Sequence, residues 1–142
     1  MAHSHADHNH EHPPELTRNQ GLVLGALHHA DSPLSAYDIL DKLRADGLRA
    51  PLQVYRALEK LIEQGLAHRL ESLNAFVCCA DAHGHRTGGL TSFAICEKCG
   101  RVDEFSDDVV KKRLGKWADE AGFMPTRTTI EVRGNCAACG KQ

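Results

Sequence analysis

Two CxxC-Gly turns, Cys96-Glu-Lys-Cys99-Gly100 and Cys136-Ala-Ala-Cys139-Gly140, constrain what this chain can fold into more than any other feature. Each turn aims two sulfurs at a common point, so a pair brought together supplies the four thiolates that tetrahedral Zn²⁺ prefers. The stretch between Cys99 and Cys136 exceeds the roughly 15 to 20 residues of a simple zinc ribbon, so a folded unit must lie between the knuckles. Two disulfides or a thioredoxin-type redox pair are the competing chemistries. Neither has its usual setting, because the N-terminus lacks a secretory apolar core and no βαβ pattern surrounds either CxxC.

The chain has 142 residues, enough for one ordinary domain or two very small ones, and a very small domain usually needs a metal or a partner as a staple. With 17 Lys and Arg against 19 Asp and Glu the formal charge is −2, so any nucleic-acid contact must be local rather than spread over a basic body. No apolar run approaches the roughly 20 residues that span a bilayer, so a cytoplasmic protein with no membrane association is expected. There six cysteines read as metal ligands before disulfides. No Ser-His-Asp set, phosphate loop or open three-ligand zinc motif is present, and an enzyme is not expected.

Residues 1–13 hold His3, His5, His8, His10 and His12 among small and acidic residues, a tract with no apolar anchor, and are expected to be disordered. The tail reads equally as a weak, exchangeable metal store and as a solvated extension. Behind Thr17, a candidate N-cap, Val23, Leu27 and Ala30 recur at helical spacing. Ser35-Ala-Tyr-Asp38 has the form of a capping box, followed by Ile39, Leu40 and Leu43 on one face and Gly47 as a stop. A third helix opens at Pro51, buries Val54, Leu58, Leu61 and Ile62, and ends at Gly65. Residues 66–71 and 75–79 then read as a hairpin behind it, which completes a winged helix-turn-helix over 14–80. On the stripe given, Gln53, Arg56 and Lys60 fall on the exposed face of the third helix with Tyr55 at its margin. Those side chains suit a DNA groove, and they suit equally a solvated amphipathic face.

Residues 81–90 are polar and glycine-rich and read as a hinge loop. Over 91–142, residues 91–95 and 101–105 flank the first knuckle as strands. Ser106-Asp-Asp caps a helix on which Val110, Leu114, Trp117, Ala118 and Ala121 keep the 3.6 period. Thr128, Ile130 and Val132 alternate as a last strand. The expected fold class is therefore α+β, a DNA-binding winged helix followed by a small α/β domain with a structural zinc. Its small sheet exposes edges that a second copy would cover, giving a homodimer.

Leu34-Ser-Ala-Tyr-Asp-Ile-Leu40, Val54-Tyr-Arg-Ala-Leu58, Glu63-Gln-Gly-Leu66, Ile95-Cys-Glu-Lys-Cys-Gly100 and Glu104-Phe-Ser-Asp-Asp108 occur in an order that resembles the ferric uptake regulator superfamily. These are metal-sensing bacterial repressors with an N-terminal winged helix and a C-terminal dimerisation domain, and the chain looks most like their zinc-uptake branch. The resemblance implies one structural zinc on Cys96, Cys99, Cys136 and Cys139 and one regulatory zinc per chain at the hinge. The regulatory ligands it implies are His68, Cys79, Glu104 and a histidine of the loop, His85 or His83. It points to Tyr55, Arg56 and Tyr37 for DNA contact, and to Asp41 and Arg44 as a pair that can join neighbouring dimers, one or two of which occupy an operator. It thus implies a zinc-loaded dimer that represses zinc-uptake genes at palindromic double-stranded DNA operators. The alternatives are a sibling regulator sensing iron, manganese, nickel or peroxide, and a zinc chaperone or store built on the tail.

Overall fold

The computed structural model describes residues 15–79 and 90–140. The histidine tail and the loop with its candidate ligands His83 and His85 lie outside them. Three helices come first: α1 (Arg18–His29), α2 (Ala36–Leu43) and α3 (Pro51–Glu63). Thr17 and Ser35 both close capping boxes, Thr17 with Gln20 and Ser35 with Asp38, so side-chain oxygens satisfy the first orphan amides of α1 and α2. A single 3₁₀ turn, Arg44–Asp46, follows α2 and ends at Gly47, whose φ of 101° only glycine adopts without strain. Arg18 donates to the Asp46 carbonyl at 2.6 Å and so ties that turn to the start of α1.

Strands β1 (Ala67–Leu70) and β2 (Ala75–Cys78) pair antiparallel as the wing, with Asn74 in the left-handed region at the turn. Leu34 adds a short third rung by exchanging two backbone hydrogen bonds with Phe76, at 3.1 and 2.8 Å. The first core gathers Val23, Leu27, Ile39, Leu40, Val54, Leu58 and Leu61 from the helices with Ala67 and Phe76 from the wing. Burial of that apolar area drives the packing of the three helices on one another.

The second half is a three-stranded sheet in the order β4-β3-β5, where β3 is Leu90–Cys96, β4 Val102–Phe105 and β5 Thr128–Gly134. β3 and β4 are antiparallel around the first knuckle, and β5 returns parallel to β3 after α4 (Asp108–Ala121). Asp107 caps α4, and Gly122, at φ 64°, ends it. The second knuckle lies on a four-residue helix, α5 (Ala137–Gly140). No helix among the described residues is long and apolar enough to cross a membrane.

A second apolar cluster holds Leu70, Phe93 and Ile95, with Val77 and Val102 packed on it. Leu70 and Val77 come from the wing and the other three from the second sheet. The wing is therefore covered on both faces: the period-2 alternation sends Phe76 and Cys78 to the helical core, and His68, Leu70, Val77 and Cys79 to the second sheet.

Most of α4 lies outside any core. Of its periodic apolar residues only Ala118 is buried, while Trp117 is 52% exposed and the neighbouring Met124 is 88% exposed. Leu114, Trp117, Phe123, Met124 and Pro125 line one open groove, with Trp117 and Phe123 rings 5.6 Å apart.

Candidate metal centres and reading head

The strand pairing places the two knuckles side by side. Cys96 ends β3, its amide donates to the Arg101 carbonyl at 2.9 Å, and the turn closes through Gly100 at φ 76° with its amide on the Cys96 carbonyl at 3.0 Å. Cys96 also pairs with Gly134 at the end of β5, so the next residues of that strand deliver Cys136 to the same corner. The Cys136 amide donates to the Cys96 sulfur at 3.3 Å, and Lys98 reaches the Cys139 carbonyl at 3.2 Å. All four sulfurs lie within 4.8 Å of one another, with Cys99 and Cys136 Sγ 3.8 Å apart. A tetrahedron of roughly 2.3 Å Zn–S bonds has edges of about 3.8 Å, so the donor set fits zinc in both kind and spacing.

The protonation of these sulfurs agrees with that fit. Backbone amides of Cys99 and Cys136 hold the Cys96 thiol down to about 6. Cys139 is pushed up to about 12, first by sharing its proton with Cys136 and then with Cys99. Four thiols at one point cannot all ionise without a cation, and a divalent ion removes that conflict.

The second cluster crosses the junction between the halves. His68 comes from β1, Cys79 from the residue after β2, and Glu104 from β4, with ligand atoms within 4.8 Å of one another and all three partly buried. The Cys79 amide donates to the Leu66 carbonyl at 3.0 Å, which prolongs the hairpin by one residue and fixes where the thiol points. Cys79 Sγ is 4.0 Å from Glu104 Oε1, close to the roughly 3.5 Å edge that Zn–S and Zn–O bonds at a tetrahedral angle give. The His68 and Phe93 rings pack in a T-shaped arrangement at 5.4 Å between centroids, which seats the imidazole. A thiolate with an imidazole and a carboxylate suits Zn²⁺ and selects against ions that prefer all-oxygen shells.

On the helical side Tyr37 (61% exposed), Tyr55 and Arg56 project from α2 and α3 into solvent. Gln53 and Lys60 lie on the same exposed face, each with a local partner. Gln53 Oε1 accepts from the Arg49 and Ala50 amides at 2.8 and 3.1 Å, as the N3 residue of a helix start, and Lys60 pairs with Glu63 at 3.1 Å. Asp41 and Arg44 pair with each other at 3.1 Å.

Sequence reasoning overlooked Glu131. Its carboxylate, on β5, accepts from the Glu71 amide at 2.6 Å and the Ser72 amide at 3.1 Å in the wing turn. Burial would raise this carboxyl, but the Ser72 hydroxyl and amide and the Glu71 amide overcome it and hold the group below its ordinary value. Only the alternation of Ile130, Glu131 and Val132 hinted at it, placing a charge on a strand face opposite the apolar one.

A winged helix whose hairpin shares a thiol, imidazole and carboxylate cluster with a cysteine-knuckled sheet is the architecture of a DNA-binding metalloregulator. The chain belongs to the Ferric uptake regulator family, whose sequence pattern matches residues 15–133. It is 39% identical over 127 residues to the Zinc uptake regulation protein of Escherichia coli (strain K12), covering 87% of this chain and 72% of that one. It is 26% identical over 131 residues to the Ferric uptake regulation protein of Campylobacter jejuni, covering 90% of this chain and 81% of that one. Among solved structures, holo XcZur superposes with a TM-score of 0.82 at 37% identity, covering 93% of this chain and 91% of the other. A zinc uptake regulator complexed with zinc and DNA superposes with a TM-score of 0.80 at 37% identity, covering 87% and 82%.

Proposed function

We propose that this protein is a zinc-responsive transcriptional repressor of the cytoplasm, a homodimer that binds palindromic operators of zinc-uptake genes when its junction cluster holds zinc. The observation that carries the reading is that His68 and Cys79 of the wing meet Glu104 of the second sheet within 4.8 Å. A ligand set drawn from both sides of a junction closes only when the two halves hold one relative orientation. On this reading the winged helix spans 14–80, the hinge loop 81–90 and the dimerisation domain 91–142, with His85 or His83 completing the cluster from the loop. Zinc bound there contributes the bonds that favour the orientation fitting two successive major grooves.

Each residue set has its own task. Cys96, Cys99, Cys136 and Cys139 form a permanent structural zinc site that fixes the end of β5 to the β3–β4 turn. The exposed groove of Leu114, Trp117, Phe123 and Met124 is covered by the second copy, since a contiguous apolar patch on a small soluble chain marks an interface. Arg56 and Tyr55 read base edges from α3 while Tyr37, Gln53 and Lys60 set the register on the backbone. Asp41 and Arg44, paired within one chain, exchange partners when two dimers share an operator. The relatives named for zinc uptake, one of them in complex with zinc and DNA, support this reading over an iron or manganese sensor.

The test is binding of a palindromic promoter fragment from a zinc-uptake gene, titrated against buffered free zinc. Affinity should rise steeply with zinc, and equal affinity with and without the metal would rule the reading out. Metal analysis before and after mild chelation should find two zinc ions per chain and then one.

A further inference from the structure

Glu104 and Glu131 are both register partners of Phe93, one on β4 and one on β5. Register partners in a sheet project to the same face, so this rung presents a carboxylate, a phenyl ring and a second carboxylate to the wing. Phe93 meets the His68 ring, and Glu104 lies in the junction cluster. Glu131 lies toward the other end of the hairpin, where its two oxygens accept one backbone amide each from Glu71 and Ser72.

The wing turn is built to be held there. Arg69 Nη2 donates to Asn74 Oδ1 at 2.9 Å and its Nε lies 3.6 Å from Glu71 Oε2, while the Leu73 amide returns to the Leu70 carbonyl at 3.2 Å. These contacts shape residues 71–74 from within and leave the two leading amides to a ligand from outside. Successive amides of one turn form a small anion-binding concavity, and a carboxylate spanning both is a charge-assisted pair of hydrogen bonds. Arg133, the nearby cation on β5, pairs with Glu97 at 3.1 Å and adds a smaller favourable charge to Glu131 than the wing-turn donors do.

We propose that Glu131 is a positioning residue, a metal-independent latch that holds the wing turn on the second sheet and so pre-orders His68 and Cys79 for the regulatory metal. The inference rests on the zinc-sensing reading for its second half only. With the latch closed, the junction is fixed at one end before any ion arrives, and the conformational cost of closing it is removed from the metal-binding step. A site whose competent state is more populated binds at lower free ligand. Glu131 therefore sets the free-zinc threshold of the response rather than the affinity of the zinc-loaded protein for DNA.

The experiment uses the full chain with Glu131→Ala and Glu131→Gln. Amide hydrogen exchange of Glu71 and Ser72 is measured with the exchangeable zinc chelated, and operator binding is titrated with buffered zinc. In Glu131→Ala the two amides should exchange about tenfold faster without metal, and the zinc midpoint should rise about tenfold, the loss expected for a charge-assisted bond pair. Affinity for the operator at saturating zinc should be unchanged. Glu131→Gln keeps the length and one acceptor oxygen, and should recover part of both effects. Unchanged protection of the two amides in Glu131→Ala overturns the latch. Equal losses of DNA affinity at limiting and saturating zinc would make Glu131 general support for the fold and overturn the proposal too. A wild-type protein that ignores zinc would sink the sensing reading, while the exchange data would still decide whether the latch exists.

Discussion

Glu104 and Glu131 stand on either side of Phe93 in one rung of the second sheet, and each carboxylate holds a different end of the same wing. The ring between them is what the wing rests on. Phe93 is buried in a small cluster with Leu70 and Ile95. Phe93→Ala should therefore cost about 3 to 5 kcal/mol of stability, with little chance of collapse in so few residues. Chemical denaturation with and without zinc checks it: the zinc-dependent increment should fall as well, because His68 loses its seat.

Cys79→Ser separates a zinc sensor from its siblings. Serine keeps the shape and the backbone bond to Leu66 but replaces a soft thiolate by a hydroxyl that stays protonated at neutral pH, and so weakens a zinc site far more than an oxygen-rich one. The expected outcome is a zinc midpoint raised at least tenfold, with the zinc on the four-cysteine site retained. Metal content after mild chelation and the operator titration read both.

The local signals that proved legible share a cause. Thr17, Ser35 and Asp107 start helices by satisfying orphan amides, and Gly47, Gly65 and Gly122 end helices through positive φ, so their chemistry is complete within a few residues. The two knuckles were legible because each carries half a tetrahedron in four residues. What stayed hidden depends on distant pairing. Nothing near Leu34 announces its bridge to Phe76, and the parallel pairing that sets Glu131 beside Phe93 has no local spacing. The alternation of His68, Leu70, Val77 and Cys79 is readable as a strand face, yet only the fold shows that this face meets a second sheet. The period on α4 was correct as a pattern, although its apolar face has little cover among the described residues.

That open face gives a prediction for assembly. Trp117 and Met124 expose apolar area along a groove rimmed by Lys111, Asp119 and Arg127, and replacing the indole by a charge would remove most of the apolar contact that self-association there could bury. Trp117→Lys should yield a folded monomer with both ligand clusters chemically intact. Sedimentation at micromolar protein should show one chain where the parent shows two, and operator binding should weaken by at least tenfold because one half-site is read at a time.

The Glu131 carboxyl also fixes a pH dependence. It is held below the ordinary glutamate value of 4.5, so the folded state binds its proton less readily than the unfolded state does. Its contribution is then fully present above about 4.5 and is lost as the pH falls through the lowered value. The gap in urea midpoint between the parent and Glu131→Gln should stay flat from pH 7 to 5 and close below pH 4.5. A gap that closes instead on raising the pH would contradict the assignment of charged carboxylate to neutral amides.

Arg56 offers the sharpest test of how the head reads sequence. It projects into solvent from the middle of α3, two residues after buried Val54 and just before buried Ala57, so its backbone is fixed by the core while its guanidinium is unengaged by a salt bridge among the described residues. A guanidinium there can meet the two acceptors of a guanine edge, whereas Lys60, already beside Glu63, suits a phosphate. Arg56→Ala should cost about 1 to 3 kcal/mol per half-site and flatten the preference at one base pair, with the salt dependence nearly unchanged. Lys60→Ala should weaken all sequences alike and reduce the slope against salt by about one. Binding to a panel of single-base operator variants at two salt concentrations distinguishes these roles. If Arg56→Ala weakened every variant equally, the base contact would have to come from elsewhere on the exposed face, with Tyr55 the next side chain to test.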